Sequence, residues 1–284
     1  EKLSNEIFQD LKLRKPDVHL ETPKDSMNMQ LGYMIQKFDE YFSSNTDDAL
    51  VGVVGDVTST LAASLSAKNK GRKLFHIEAG LRSRNLLMPE ERNRIMVDHI
   101  SDICFAPCKY AVENLRHENI DKKKISLVGN IMIDSLKDNI DRIKSDSKEV
   151  RSSLGINKDF FVVTLHRDEN LVKEILEDIF SALNMFSKDY DVVLPAHPRL
   201  KNFIGQNSID TGDLILTDPL PYINFLSLVL NSEICLTDSG GLQEETSVLG
   251  VPCLTLRTET ERPITVEEGT NKVIGTKKED IIES

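Results

Sequence analysis

No run of 18 or more apolar residues occurs in the sequence, and no basic, apolar, small-residue leader precedes the first acidic and polar residues. A membrane span is therefore not expected, and the chain reads as soluble, unexported and cytoplasmic. Surplus basic charge is also missing: 35 Lys and Arg stand against 46 Asp and Glu, a formal charge of −11. Phosphate backbones are bound by excess positive charge, which argues against nucleic acid as the main partner. A small anionic ligand is not excluded, because a local arginine cluster or a helix N-terminus holds a phosphate within an acidic protein. Cysteine is scarce. Cys104 and Cys108 lie four apart, but with Cys235 and Cys253 they complete no metal-ligand spacing. Three of the four fall in apolar runs that read as strands, the pattern of reduced cysteines acting as small apolar residues.

What is present is a globular composition, 39% hydrophobic over 284 residues, enough for two ordinary domains. Short apolar runs alternate with amphipathic stretches, the signature of a parallel α/β sheet. Strands are expected at 51–54, 73–77, 103–106, 125–128, 160–165, 191–194, 214–217, 233–237 and 251–256. Helices are expected at 58–70, 110–118, about 170–185, 222–230 and after Gly240-Gly241. The charged stretch 138–151 reads as a linker or an exposed helix. The expectation is two Rossmann-like α/β domains, 1–148 and 149–284, with a cleft between them.

Ligands of such sheets collect at the carboxyl ends of the strands, and the unusual residues lie there. Gly55-Asp56 follow one strand, Glu78 another, His166-Arg167 a third, and Asp238-Ser239-Gly240-Gly241 a fourth. The last segment runs from a strand into a helix that closes at Gly250. It reads either as a helix cap by Asp238 or Ser239 or as a phosphate site built from free helix N–H groups. Glu245 suits ribose hydroxyls, whereas Glu244 and Glu91 read as helix-dipole complements. Glu90 follows Pro89, which is well placed at a helix start. Arg82, Arg84, Arg92 and Arg94 either pair with these acids or meet a ligand phosphate. His166 beside Arg167 suits an anionic ligand or proton work. His197, between prolines, reads as structural. Arg262 either grips a diphosphate or bridges to Glu259 or Glu261.

The segments GDVTSTLAA (55–63), HIEAGLR (76–82), MPEERNR (88–94), HRDEN (166–170), TDSGGLQEE (237–245) and TERP (260–263) occur in one order across almost the whole chain. Together they resemble the non-hydrolysing UDP-N-acetylglucosamine 2-epimerase family. The resemblance implies two Rossmann-like domains in the glycosyltransferase-B arrangement, a homodimer, a UDP-sugar substrate and no metal or nicotinamide cofactor. It puts the catalytic positions on Asp56, Glu78, Glu90 and His166. UDP contacts fall on Ser239, Gly240, Gly241, Glu245 and Arg262, with Arg94 and Arg167 as further cationic candidates.

The implied reaction inverts C2 of the sugar through elimination of UDP, a 2-acetamidoglucal and re-addition. It needs a carboxylate base and cations that steady the departing diphosphate. The family's initial strand and Gly-Thr-Arg-Pro-Glu loop are not in this sequence, and a final helix is expected beyond Ser284, so the chain reads as N-terminally truncated. The HIEAG segment favours epimerisation over hydrolysis. An epimerase of a related UDP-2-acetamido sugar, a glycosyltransferase of the same fold and a UDP-sugar-binding protein remain as alternatives.

Overall fold

The computed structural model of the chain describes residues 8, 10–23, 25–45 and 50–284. They divide into two compact units: Pro16–Ile131, and Met132–Ser284 joined by the described residues before Pro16. In the first unit α1 (Met27–Ser44) precedes β1 (Val51–Val54), α2 (Thr58–Asn69), β2 (Leu74–Ile77) and α3 (Pro89–Ile100). β3 (Ile103–Ala106), α4 (Lys109–His117) and β4 (Ile125–Leu127) complete it. The four strands are parallel, in the order β1-β2-β3-β4. Helices bury both faces of a parallel sheet, and two apolar clusters mark them here. Val53, Leu61, Leu74 and Val97 form one, and Ala79, Cys104, Ala106, Ala111 and Leu115 the other.

The second unit starts with α5 (Ile131–Asp138), α6 (Ile140–Ser145) and α7 (Ser147–Ser153). The charged stretch 138–151 is thus helical, and its few apolar residues explain why. Leu136, Ile143 and Val150 recur every seven residues, two helical turns apart, and are 1, 0 and 4% exposed. They share a core with Phe160, Val162, Val193, Ile223 and Leu226. That burial assigns the three helices to the second sheet, so the division falls at Met132 instead of after residue 148. Asp10 joins the same unit: its carboxylate accepts from the Ile223 N–H at 3.0 Å and from Arg142 Nη2 at 3.1 Å.

Six parallel strands follow: β5 (Phe160–Thr164), β6 (Asp191–Pro195), β7 (Ile215–Thr217), β8 (Ile234–Thr237), β9 (Cys253–Thr255) and β10 (Asn271–Val273). Between and after them run α8 (Lys173–Phe186), α9 (Pro198–Asn207), α10 (Tyr222–Leu230), α11 (Gly240–Leu249), α12 (Ile264–Glu267) and α13 (Lys278–Glu283). Side chains of β5 alternate between the two faces. Phe160 and Val162 enter the core described above, while Phe161 and Val163 enter a second one with Leu176, Ile179 and Phe180. The strand order is β10-β9-β8-β5-β6-β7. From β5 the chain winds outward through β6 to β7, and from β8 it winds the other way. The reversal lies between β5 and β8, and a doubly wound sheet opens a crevice at the carboxyl ends of those two strands. Among the described residues no helix is long and apolar enough to cross a membrane.

Because Ile143 is fully buried between the 138–151 helices and the sheet, Ile143→Ala should cost about 2–5 kcal/mol in urea unfolding. A loss below about 0.5 kcal/mol would show that these helices do not carry the core.

Candidate functional site

At the switch point, β5 and β8 are locked by their last residues. Thr164 and Thr237 are register partners, and their hydroxyls lie 2.6 Å apart. The Thr237 hydroxyl also accepts the Ser239 N–H at 2.9 Å. One residue on, the Asp238 carboxylate is fully buried and collects the loop after β5. It accepts the backbone N–H groups of His166 and Arg167, each at 3.0 Å, and Asn170 Nδ2 at 3.1 Å. His166 Nδ1 lies 2.6 Å from Asp238 Oδ1, while half of the imidazole remains exposed, at 52%. Burial pushes the Asp238 carboxyl up, but the hydrogen bond and charge of His166 and the two amides outweigh it and hold the carboxyl below its ordinary value. A buried acid that fixes the tautomer and orientation of a half-exposed histidine is a device for presenting the other ring nitrogen to a ligand.

Next to it begins α11. Ser239 is its cap, the hydroxyl accepting from the Leu242 N–H at 3.5 Å, and Gly250 closes it at φ 73°. Gly240 is required by space: a Cβ there would lie 2.3 Å from Arg262 Nη1 and 2.4 Å from Glu261 Oε1. That guanidinium cannot easily yield, because Arg262 Nε donates to Glu244 at 2.6 Å and Nη1 to Glu261 at 2.6 Å. Glu244 and Glu261 are therefore the clamp that orients Arg262, a role the helix-dipole reading of Glu244 missed. Glu261 also holds Arg257 Nη1 at 2.8 Å and lies 3.5 Å from Arg167 Nη2. Three arginines thus surround one buried carboxylate. Arg257 Nε and Nη2 and Arg167 Nε find no hydrogen-bond partner among the described residues.

A groove of about 350 Å³ opens beside this helix start, lined by His166, Tyr222, Ser239, Gly241, Leu242 and Glu245. Glu245 is 5% exposed and accepts from the Tyr222 hydroxyl at 2.8 Å. Burial raises the Glu245 carboxyl to about 7, with the nearby Glu244 adding to the shift against the Tyr222 bond and Arg262. His197, also on the groove wall, caps α9 by accepting from the Arg199 N–H at 3.2 Å.

In the first unit the acids follow the same strand-end logic. Asp56 follows β1, Glu78 follows β2 and Glu90 lies in the first turn of α3; all three are half-buried. A Glu78 carboxylate oxygen lies 3.5 Å from the point where a Gly55 side chain would begin, which sets it against the Asp56 turn. Glu78 itself has φ 72°, a left-handed conformation costing a non-glycine residue about 1–3 kcal/mol. Arg94, 2% exposed, joins the other two: its Nε is 3.5 Å from Asp56 Oδ2 and 3.4 Å from the Glu90 carbonyl. Glu91, which reads from sequence as a dipole complement, is 1% exposed and accepts the Ser83 and Arg84 N–H groups at 3.0 and 2.9 Å. Among the described residues no group of three His, Cys, Asp or Glu is placed to hold a metal ion.

Asp238, Tyr222, Glu244 and Glu261 are the functional residues that sequence reasoning passed over. Asp238 had the one available signal, an acid between a strand and Gly-Gly, and was read only as a cap. Tyr222 and Glu244 act through partners 23 and 18 residues away, so nothing local announces them. Glu261 is legible as a partner of Arg262, but its hold on Arg257 is not.

A doubly wound α/β sheet with a glycine-rich helix start, a carboxylate and an oriented histidine at its switch point defines a Rossmann-type ligand-binding unit. The sequence pattern of the UDP-N-acetylglucosamine 2-epimerase family matches residues 1–284. The UDP-N-acetylglucosamine 2-epimerase of Methanococcus maripaludis is 38% identical, over 99% of this chain and 80% of its own. The UDP-2,3-diacetamido-2,3-dideoxy-D-glucuronate 2-epimerase of Pseudomonas aeruginosa is 36% identical, over 99% and 79%. Among solved structures, the Methanocaldococcus jannaschii UDP-GlcNAc 2-epimerase in complex with UDP-GlcNAc and UDP superposes with a TM-score of 0.91 at 36% identity, covering 98% of this chain and 79% of that one. The chain belongs to the UDP-N-acetylglucosamine 2-epimerase family.

The raised Glu245 carboxyl yields a test. Its folded value, about 7, exceeds an unfolded value near 4.5, so the folded protein binds the extra proton between these limits. Stability is therefore lost as pH rises from about 4.5 through 7, by an amount on the order of 3 kcal/mol. Glu245→Gln keeps the shape and removes the ionisation. Its urea midpoint should exceed that of the native chain at pH 8 and match it at pH 4.5. An equal change at both pH values would mean the carboxyl does not ionise against burial.

Proposed function

We propose that this chain is a UDP-N-acetylglucosamine 2-epimerase, interconverting UDP-GlcNAc and UDP-ManNAc. The observation that carries this reading is the switch-point cluster, in which Asp238 holds His166 against the Ser239-Gly240-Gly241 start of α11. A helix N-terminus with close backbone approach accommodates a diphosphate. The Glu245 carboxylate accepts ribose hydroxyls, and His166, Arg167 and Arg262 balance the diphosphate charge. The M. jannaschii relative carries UDP-GlcNAc and UDP in its structure, which supports a UDP-sugar as ligand.

The sugar C2–H has no adjacent ring carbonyl, so direct removal of its proton is slow. In the proposed route a carboxylate among Asp56, Glu78 and Glu90 takes that proton as the C1–oxygen bond breaks. The electron pair forms the C1=C2 bond of 2-acetamidoglucal, and UDP leaves as an anion. Return of a proton to the opposite face of C2 and attack of UDP oxygen on C1 then give the epimer. Arg94 keeps Asp56 and the Glu90 turn together, and the cations of the second unit retain UDP between the two steps. We further propose a cytosolic homodimer, without metal or nicotinamide, that supplies polysaccharide synthesis. The P. aeruginosa relative, which acts on a diacetamido glucuronate, supports a second reading: the same chemistry on a related UDP-2-acetamido sugar.

Proton NMR of the protein with UDP-GlcNAc in deuterium oxide should show a new mannosamine anomeric signal with deuterium at C2. Glu78→Gln and Asp56→Asn should each lower turnover about 10²–10⁴-fold with UDP affinity retained. Release of UDP with free sugar would replace epimerisation by hydrolysis, and turnover only of another UDP-2-acetamido sugar would establish the second reading.

A further inference from the structure

His76, in the middle of β2, is fully buried although it faces a charged partner. Its Nδ1 lies 2.6 Å from Asp98 Oδ1, and its Nε2 lies 2.8 Å from the Gly55 carbonyl oxygen. Asp98, also fully buried, accepts the Gly80 N–H at 3.0 Å through Oδ2, which lies 2.7 Å from Arg82 Nη2. Arg82 is bidentate to Glu118, with both contacts at 2.7 Å. An acid that receives an amide N–H and a guanidinium has the partners of a carboxylate, so it accepts from His76 Nδ1. A carbonyl oxygen can only accept, so His76 Nε2 donates as well. Two donating ring nitrogens make the ring an imidazolium, balanced by Asp98, while Glu118 balances Arg82.

The groups joined in this way are the two turns that carry catalytic acids. Gly55 precedes Asp56, and Gly80 follows Glu78 by two residues. Gly80 is held on its other sides too: its φ is 85°, Asn114 Nδ2 donates to its carbonyl at 2.9 Å, and a Cβ would meet the Ala111 carbonyl at 2.4 Å. Glu78 stands between these anchors in its left-handed conformation. Strain of that kind persists only where surrounding contacts over-determine the backbone.

We propose that His76 and Asp98 are a positioning pair, with His76 protonated on both ring nitrogens, that ties the Gly55-Asp56 turn to the Glu78–Gly80 turn and sets the spacing of the Asp56 and Glu78 carboxylates. The catalytic part of this inference rests on the epimerase reading; the protonation of His76 does not.

Two measurements test it. Long-range proton–nitrogen NMR of the native chain, with His76 assigned by its absence in His76→Phe or, if that variant does not fold, from backbone connectivities, should show a proton on each His76 nitrogen in the folded chain. A bare nitrogen would overturn the proposal. Kinetically, His76→Phe and Asp98→Asn should lower kcat about 10²-fold, the scale of an ångström-sized misplacement. KM should change less than about threefold, and UDP affinity, set in the other unit, should be retained. Native kcat in a folded variant would overturn the positioning role. If the native chain turns over no UDP-2-acetamido sugar, the epimerase reading fails while the NMR result still decides the state of His76.

Discussion

A carboxylate placed in a protein interior must be compensated by several donors at once, or it is not tolerated as an ion. Asp238 meets that condition by gathering two backbone amides, an asparagine amide and an imidazole, all from the loop after β5. The requirement runs in both directions. The acid is stable because the loop surrounds it, and the loop has one conformation because the acid needs all four donors. The start of α11, the histidine and the groove beside them inherit their positions from this arrangement. Asn170 extends it one strand further, since its amide also donates to the Leu256 carbonyl at 3.1 Å.

The first unit solves the same problem with different residues. There Asp98 is the buried acid, Gly80 supplies the amide, and His76 and Arg82 supply the side-chain partners. In both units an aspartate pairs with a histidine and fixes turns that follow strands. The outcomes differ in exposure: His76 is sealed and has both nitrogens engaged within the fold, whereas His166 keeps half its surface open. Sealing makes a histidine part of the framework, and exposure makes it available to a ligand.

Much of the architecture was legible in sequence because parallel strands buried on both faces are continuous apolar runs. β5 and β8 are such runs, and each expected range overlaps the observed strand; β1, an edge strand with one buried residue, was legible from its β-branched run alone. The Gly-Gly helix start was legible for a related reason, since few segments need so little side-chain volume. β10 and α12 escaped, being three and four residues long with no periodicity to display. The stretch 138–151 reads as a linker or an exposed helix, and the buried face of its helices went unseen because Leu136, Ile143 and Val150 stand seven residues apart among many charges. Arg262 left its choice open because its partners, Glu244 and Glu261, are 18 and 1 residues away, and only the folded chain shows that it takes both. Sequence supplies residue types at strand ends; which carboxylate holds which cation is decided by tertiary proximity.

The scarcity of cysteine has a practical side. Cys104, Cys235 and Cys253 are buried, and burial raises their thiols, to about 12 for Cys104, about 11 for Cys253 and well above the ordinary value for Cys235. Thiolate is the form that alkylating reagents capture, so these three are chemically silent in the folded chain at neutral pH. Cys108, half-buried just beyond the carboxyl end of β3, stands apart from them. A maleimide dye would therefore meet one partly accessible thiol, on the strand-end edge that carries the acids, and three shielded by burial.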